Sequence, residues 1–256
     1  MRDFKIFFFK VGNGHCSYVE FPNNSNAIID LKVCKEDGYD NIVSILEEAN
    51  IRTIDRLIIT HPHQDHIGGL CDFVDKFKIT TFIHSPVNFT PDPVTLDWDT
   101  YEDMRLGEHC EKVFEVKKGW NSKIGDTRID YLSPNDIMLK EFSDEVNNNS
   151  LLLRITCRGH KILIQGDIED DGWDWISDSE ISGTSLLLAS HHGNKSGYNL
   201  EKIKKMNLAF VVISAGSKTD HDADSRYRNQ ARRGVHTTRN GTVVAKINSE
   251  NSMTVI

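Results

Sequence analysis

The sequence predicts an α/β (α+β) domain, and three observations carry that prediction. Apolar runs of strand length outnumber helical patterns, helical patterns separate the strands in each half, and no stretch rich in Gly, Pro or Ser divides the chain. The expectation is one domain over residues 1–256, built of two similar halves at about 1–125 and 126–256, with an insertion at about 85–119.

Asp3 to Val11 is apolar and aromatic, as a buried strand is. Gly12-Asn13-Gly14 signals a turn. Cys16 to Phe21 alternates as a second strand, and Pro22 to Asn26 reads as a hairpin loop before a third strand, Ala27 to Leu31. Asp40 to Ala49 spaces Ile42, Val43, Ile45 and Leu46 as an amphipathic helix does. Arg56 to Thr60 is short and nearly all apolar, the pattern of a strand buried on both faces. A helix is expected over Leu70 to Phe77 and a strand over Ile79 to His84. From Ser85 to Gly119 the pattern degrades, and Pro86, Pro91, Pro93 and several acidic residues predict a surface insertion with a helix over Tyr101 to Val113. The second half repeats the theme. Lys123 to Leu132 holds a turn and a strand, and Ser150 to Cys157 pairs with Lys161 to Gln165 around Arg158-Gly159-His160. A short helix starts at Trp173, Ser185 to Ala189 is a buried strand and Leu200 to Met206 is helical. Leu208 to Ala215 and Gly241 to Ile247 are strands, the last closing the sheet.

At 256 residues, with 38% hydrophobic and 27% charged residues, the chain can bury a core, and disordered, collagenous, coiled-coil and disulfide-miniprotein classes are excluded. The 30 Lys+Arg against 38 Asp+Glu leave a formal charge of −8. That argues against binding nucleic acid through a broadly basic surface but allows a local basic groove. No stretch approaches the ~20 apolar residues that span a bilayer, and Ile6 to Phe9 stops at Lys10, too short for a signal-peptide core. The five cysteines are scattered without a C-x-x-C spacing and read as free thiols. A cytoplasmic protein with no membrane partner is expected.

The chemistry concentrates in His61-Pro62-His63-Gln64-Asp65-His66, directly after a buried strand. Imidazole nitrogen and carboxylate oxygen are the usual ligands of Zn²⁺ and similar ions, and a sharp turn there can aim neighbouring side chains at two of them. Asp167 ends Ile162 to Gly166, where it can bridge two cations or cap a helix. His191-His192-Gly193 follows Ser185 to Ala189, with a glycine that permits close backbone approach. His61, His63, Asp65, His66, Asp167 and one of His191 and His192 make six ligands, which suit two divalent ions sharing Asp167.

Thr60 to Gly69 resembles the H-x-H-x-D-H motif of the metallo-β-lactamase superfamily. Val11 to Cys16, Asp30, Asn149-Ser150-Leu151, Gly166-Asp167 and Ser190 to Gly193 resemble motifs of its ComEC-like competence branch. The resemblance implies a four-layer αββα sandwich, the metallo-β-lactamase fold, and two divalent ions, Zn²⁺ first and Mn²⁺ as the alternative. It implies His61 and His63 on the first ion, Asp65, His66 and His192 on the second, and Asp167 bridging both. His191 is then free to contact a phosphate or protonate a leaving group, as is His221 in the loop Thr219 to Asp222. Asn149 stands where many β-lactam hydrolases of the superfamily add a histidine. Asp30-Leu31-Lys32 departs from the branch's "DGG", and His15 replaces an acidic residue.

The expected function is a two-metal phosphodiester hydrolase, a nuclease acting on DNA, with Asp65, His191 and His221 in catalytic roles. Arg226 to Arg233 carries four arginines and a tyrosine, which suits phosphate and base contacts or a solvated helix face. Arg228, Arg232, Lys195 and Asn149 are the candidate substrate contacts. The alternatives are a small-molecule hydrolase (a cyclic-nucleotide or phosphocholine esterase, or a lactonase) and a metal-bearing effector that needs a protein partner. In the last case Trp98, Tyr101 and Phe114 of the 85–119 insertion would dock the partner; otherwise they pack in the core.

Overall fold

Alternating apolar side chains on both faces of most strands require a layer on each side of a sheet, and the fold supplies it twice over. The computed structural model describes residues 2–216 and 223–256. The first half runs β1 (Phe4–Phe8), β2 (Ser17–Glu20), β3 (Asn26–Ile29), α1 (Ile42–Glu48), β4 (Thr53–Ile54), β5 (Leu57–Ile59), α2 (Gln64–Ile67), α3 (Leu70–Val74), β6 (Lys78–His84), α4 (Leu96–Arg105) and β7 (Cys110–Glu115). There follow β8 (Asn121–Ile124), β9 (Thr127–Ser133), α5 (Asp136–Glu141), β10 (Leu152–Cys157), β11 (His160–Ile164), α6 (Asp170–Trp173), α7 (Asp178–Ile181) and β12 (Thr184–Leu188). The chain continues through α8 (Leu200–Lys205), β13 (Phe210–Ile213), α9 (Ala223–Arg228), β14 (Gly234–Thr237), β15 (Val243–Ile247) and β16 (Met253–Val255).

One sheet has the order β16-β15-β1-β2-β3-β5-β6-β4, with β7 also paired to β6, and the other is β14-β13-β12-β11-β10-β9-β8. Strand periodicity divides the side chains between layers. Phe4, Ile6 and Phe8 of the first sheet meet Leu153, Ile155, Ile162, Ile164, Leu186 and Val212 of the second. Leu57 and Ile59 face outward, under Leu46, Phe73, Trp98 and Tyr101 from the helices. Leu163, Leu187 and Val211 face outward under Trp173, Ile181, Ile203 and Tyr227. The architecture is a four-layer αββα sandwich. The five cysteines are free thiols, and no helix among the described residues is long and apolar enough to cross a membrane.

Three expectations need correction. The division into halves fails at the C-terminal end, because β15 pairs antiparallel with β1 and so joins the first sheet. The segment 85–119 is not a surface insertion: Trp98 and Tyr101 are buried in the first outer layer, and β7 extends the first sheet beside β6. Trp98 and Tyr101 are therefore core residues, and a docking surface there would not be built from them. The helix expected over Tyr101 to Val113 ends at Arg105, since Gly107 adopts φ +99° and Cys110–Glu115 finds a strand partner. Local pattern could not show that pairing, because β6 and β7 are joined through a helix. The sequence reading does not contain β4, β14 or β16: β4 and β16 are two and three residues long, and the half-buried residues and leading Gly234 of β14 carry no strand signal.

Candidate metal centre

Parallel pairing aligns β5 in the first sheet with β3 and β6, and β11, β12 and β13 in the second. The chemistry-bearing residues all follow the C-terminal ends of such strands, where side chains from separate loops converge.

The turn after β5 is built around Asp30, which is buried at the end of β3. Its carboxylate accepts from the Thr60 backbone N–H at 2.7 Å, from Thr60 Oγ1 at 2.8 Å and from His66 Nδ1 at 2.8 Å. His66 is thereby fixed as the tautomer whose Nε2 faces inward, the usual role of a carboxylate behind a ligating imidazole. Asp65 lies in the first turn of the short helix α2, and its carbonyl accepts from His15 N–H at 3.0 Å. Gly14 makes that approach possible: a Cβ there would lie 2.5 Å from the Asp65 carbonyl oxygen. Gly166 lets Asp167 come in from β11, since a Cβ there would lie 2.6 Å from Thr60 Oγ1. The Asp167 N–H donates to Ser150 Oγ at 3.2 Å.

The turn after β12 is unusual. His191 (φ +49°) and His192 (φ +54°) are successive left-handed residues, followed by Gly193 at φ +80°. For residues with a Cβ this costs on the order of 1–2 kcal/mol each. The outcome is that His192 Nδ1 donates to the Ser214 carbonyl at 3.2 Å and Nε2 points into the centre.

Asp65, His66, Asp167 and His192 each place a ligand atom within 4.8 Å of the others. His192 Nε2 is 3.2 Å from Asp65 Oδ2, 3.5 Å from Asp167 Oδ2 and 3.3 Å from His66 Nε2. His66 Nε2 is 3.2 Å from Asp167 Oδ1. Both imidazoles spend Nδ1 outward, so two Nε2 atoms and two carboxylates face one another. Acceptors crowd acceptors unless a cation or shared protons sit between them, and this nitrogen and oxygen donor set fits a Zn²⁺-type ion. His61 adds to the fit. Its Nε2 is buried without a hydrogen-bond partner and lies 4.0 Å from Asp167 Oδ2. The His63 ring is 4.8 Å from that of His61, centroid to centroid, and meets the Phe89 ring edge-on.

The imidazoles and carboxylates of the centre shift one another's titration. Burial opposes charge on His66, yet the Asp167 and Asp30 carboxylates hold its pKa well above the ordinary imidazole value. Burial likewise opposes charge on His192, but Asp167 and Asp65 push it up to about 9. Burial resists ionisation of Asp65 and Asp167, yet His192 and His66 hold both carboxyls below their usual range. Burial, reinforced by His66, keeps His61 and His15 well below the ordinary value, and burial also lowers His63.

The remaining candidates disperse. His191 Nε2 is 3.8 Å from Asp167 Oδ2, and its Nδ1 lies 3.0 Å from Glu169 Oε1 and 2.9 Å from Ser196 Oγ. Asn149 is buried, and its amide donates to the Phe142 and Glu145 carbonyls, so it braces its own turn and does not reach solvent. Lys195 and Arg228 are exposed. The Arg232 guanidinium donates to the Leu208 and Asn207 carbonyls, both at 3.3 Å. His221 lies outside the described residues. Sequence reasoning missed Glu169 and Ser214 and did not see what Asp30 supports. Asp30 had a usable signal, a lone carboxylate closing an apolar strand; Ser214 acts through its carbonyl and had none. A cavity of about 380 Å³ adjoins the centre, with His63 and Phe89 facing Asp144, Glu145, Glu169 and Asp171.

A family model of the metallo-β-lactamase superfamily matches residues 10–216. The chain is 29% identical over 182 residues to ComE operon protein 3 of Bacillus subtilis (strain 168), covering 70% of this chain. It is 24% identical over 178 residues to competence protein ComA of Neisseria gonorrhoeae, covering 68% of this chain. It spans only 22% of the length of either relative. Among solved structures, the metallo-β-lactamase fold protein YhfI from Bacillus subtilis superposes with a TM-score of 0.58 at 12% identity, over 94% of this chain and 99% of that one. With candidate metal ligands on the loops of an αββα sandwich and the match running through both sheets, the chain belongs to the metallo-β-lactamase superfamily.

Proposed function

We propose that this metal-dependent hydrolase cleaves phosphodiesters and that its substrate is DNA. The observation that carries the proposal is the convergence of Asp65, His66, Asp167 and His192 beside an unpartnered His61 Nε2. His61, His63 and Asp167 would hold one ion, and Asp65, His66, His192 and Asp167 the other, Zn²⁺ first and Mn²⁺ second. Such ions, when bound, supply an activated water and offset charge developing on the phosphoryl oxygens. Asp65 is 37% exposed at its side chain against 4% or less for His66 and Asp167, so substrate approaches from the Asp65 side. There Asp65 orients the attacking water. His191, with Nδ1 turned to Glu169 and Ser196, presents Nε2 as the proton donor to the departing oxygen. Lys195 and Arg228 are the exposed cations available to a phosphate chain, and similarity to two competence proteins favours a nucleic acid.

One observation favours a second reading, a small phosphodiester. The cavity beside His63 carries four carboxylates, which repel a long polyanion. The test offers labelled single- and double-stranded DNA and RNA, and bis(p-nitrophenyl) phosphate, to the wild type and to Asp65→Ala and Asp167→Ala with Zn²⁺, Mn²⁺ or Mg²⁺. DNA cutting lost in both variants supports the first reading. Turnover of the small ester alone supports the second, and a metal-loaded protein inert toward all of them sinks both.

A further inference from the structure

The left-handed turn at His191-His192 is closed locally by the Asn194 N–H, which donates to the His191 carbonyl at 2.7 Å, and is buttressed from outside by α9. The Arg226 guanidinium donates through Nη2 to the Gly193 carbonyl at 2.7 Å, one residue after His192. The helix is seated against the same glycine: a Cβ at Gly193 would lie 2.8 Å from Ala223 Cβ. Tyr227 anchors the helix in the second outer layer, edge-on to Tyr198 with ring centroids 5.1 Å apart. The Tyr198 hydroxyl in turn donates to the Arg226 carbonyl at 3.1 Å. Arg226 is therefore a fixed donor held against the carbonyl of the residue that follows His192.

We propose that Arg226 is a positioning residue for the metal centre, clamping Gly193 so that His192 presents Nε2 to the ion shared with Asp65 and His66. The proposal rests on His192 being a metal ligand. It also removes one arginine of the Arg226 to Arg233 stretch from direct phosphate contact. Support behind a ligand typically changes metal affinity tenfold to a hundredfold when lost, and a second cation on an exposed face would not.

Full-length protein, stripped with chelator, is titrated with Co²⁺ and followed by absorbance, in the wild type and in the Arg226→Met, Arg226→Lys, Arg233→Ala and His192→Ala variants. Methionine keeps the aliphatic stem and removes the donor; lysine returns one donor. The wild type is expected to take up two equivalents. His192→Ala is expected to lose one of them, and Arg226→Met to weaken that same equivalent at least tenfold with an altered cobalt spectrum. Arg226→Lys should recover part of the affinity, and Arg233→Ala should match the wild type. If His192→Ala retains both equivalents, the ligand assignment fails independently of Arg226. If His192→Ala loses one and Arg226→Met follows the wild-type curve, the clamp is overturned. Thermal unfolding in chelator guards against a folding artefact: an Arg226→Met protein already unfolded without metal makes the arginine a folding residue and also overturns the proposal.

Discussion

The two turns that carry the histidines are held in different ways. The turn after β5 is braced from within its own half, by one buried carboxylate that fastens Thr60 and His66 together. The turn after β12 has two histidines in a left-handed backbone, and besides the nearby Asn194 N–H and Ser196 hydroxyl on His191 it leans on groups distant in sequence. These are the Ser214 carbonyl behind His192, Glu169 behind His191 and Arg226 on Gly193. One ligand set is written mostly into a short motif; the other exists only once α9 and β13 are in place.

The largest effect should come from Asp30→Ala. It removes three hydrogen bonds at once and leaves buried donors on Thr60 and His66 without an acceptor. We expect a loss of about 3–5 kcal/mol in urea unfolding and metal binding weaker by roughly ten- to a hundredfold. Asp30→Asn should lose less, because its amide keeps one acceptor and tolerates the positive φ of +54°. An Asp30→Ala protein within about 1 kcal/mol of the wild type would break the claim that Asp30 is the main brace of this turn.

That contrast explains what was legible. The strands that the sequence reveals have boundaries within three residues of those found, because their apolar alternation is local; Ile162 and Ile164 face one way and Leu163 the other, whereas β4, β7, β14 and β16 show no such signal. The His61 to His66 cluster stood out because its ligand types sit in one turn. The choice between His191 and His192 stayed open because it depends on two backbone torsions that no side-chain pattern encodes. Trp98 and Tyr101 were read as possible docking groups because the layer that buries them is assembled from α3, α4 and β6. Asn149 read as a substrate contact because a motif shows residue type and not direction; its amide turns inward.

The coupled imidazoles and carboxylates of the centre give the next effect, a dependence on pH. Among the groups around it, His66 and His192 have raised values, and His61, His63 and His15 have lowered ones. A group with a raised folded value stabilises fully below its unfolded value of about 6.5 and loses that contribution as pH rises through the folded one. In chelator, thermal stability should therefore fall as pH climbs from about 6.5 through about 9, the value for His192. Asp65 and Asp167 act in the opposite sense, losing stability as pH falls below the usual carboxylate range. Metal binding needs neutral imidazole, so affinity should rise over the alkaline window in which apo stability falls. A flat melting temperature in chelator between pH 6.5 and 9 would show that the histidines are not paired to the carboxylates.

Asp97 sharpens the comparison from the other side. Its carboxylate accepts from Gln64 Nε2 at 2.7 Å and from the Gly69 and Cys71 N–H groups at 2.9 and 3.1 Å, so α4 braces the first turn from behind. Asp97→Ala should cost about 1–2 kcal/mol and loosen the site that contains His61 and His63 by a smaller factor than Asp30→Ala. Equal loss in the two variants would make α4 as important a support as Asp30.

The smallest effects should separate the arginines from one another. Arg232 is already engaged with the Leu208 and Asn207 carbonyls, whereas Arg228, at the end of α9, and Lys195, just after the second turn, are exposed. If a DNA strand runs there, Arg228→Ala and Lys195→Ala should each weaken binding modestly. Each should also reduce the slope of log affinity against log salt by about one, the signature of one lost phosphate contact. Arg232→Ala should leave that slope unchanged, because its guanidinium is spent on the backbone. Equal slopes in all three variants and the wild type would remove this face from the substrate path. The strand would then have to approach past the carboxylates beside His63, which a chain of phosphates does not do without cations to screen it, and the small phosphodiester would become the better substrate.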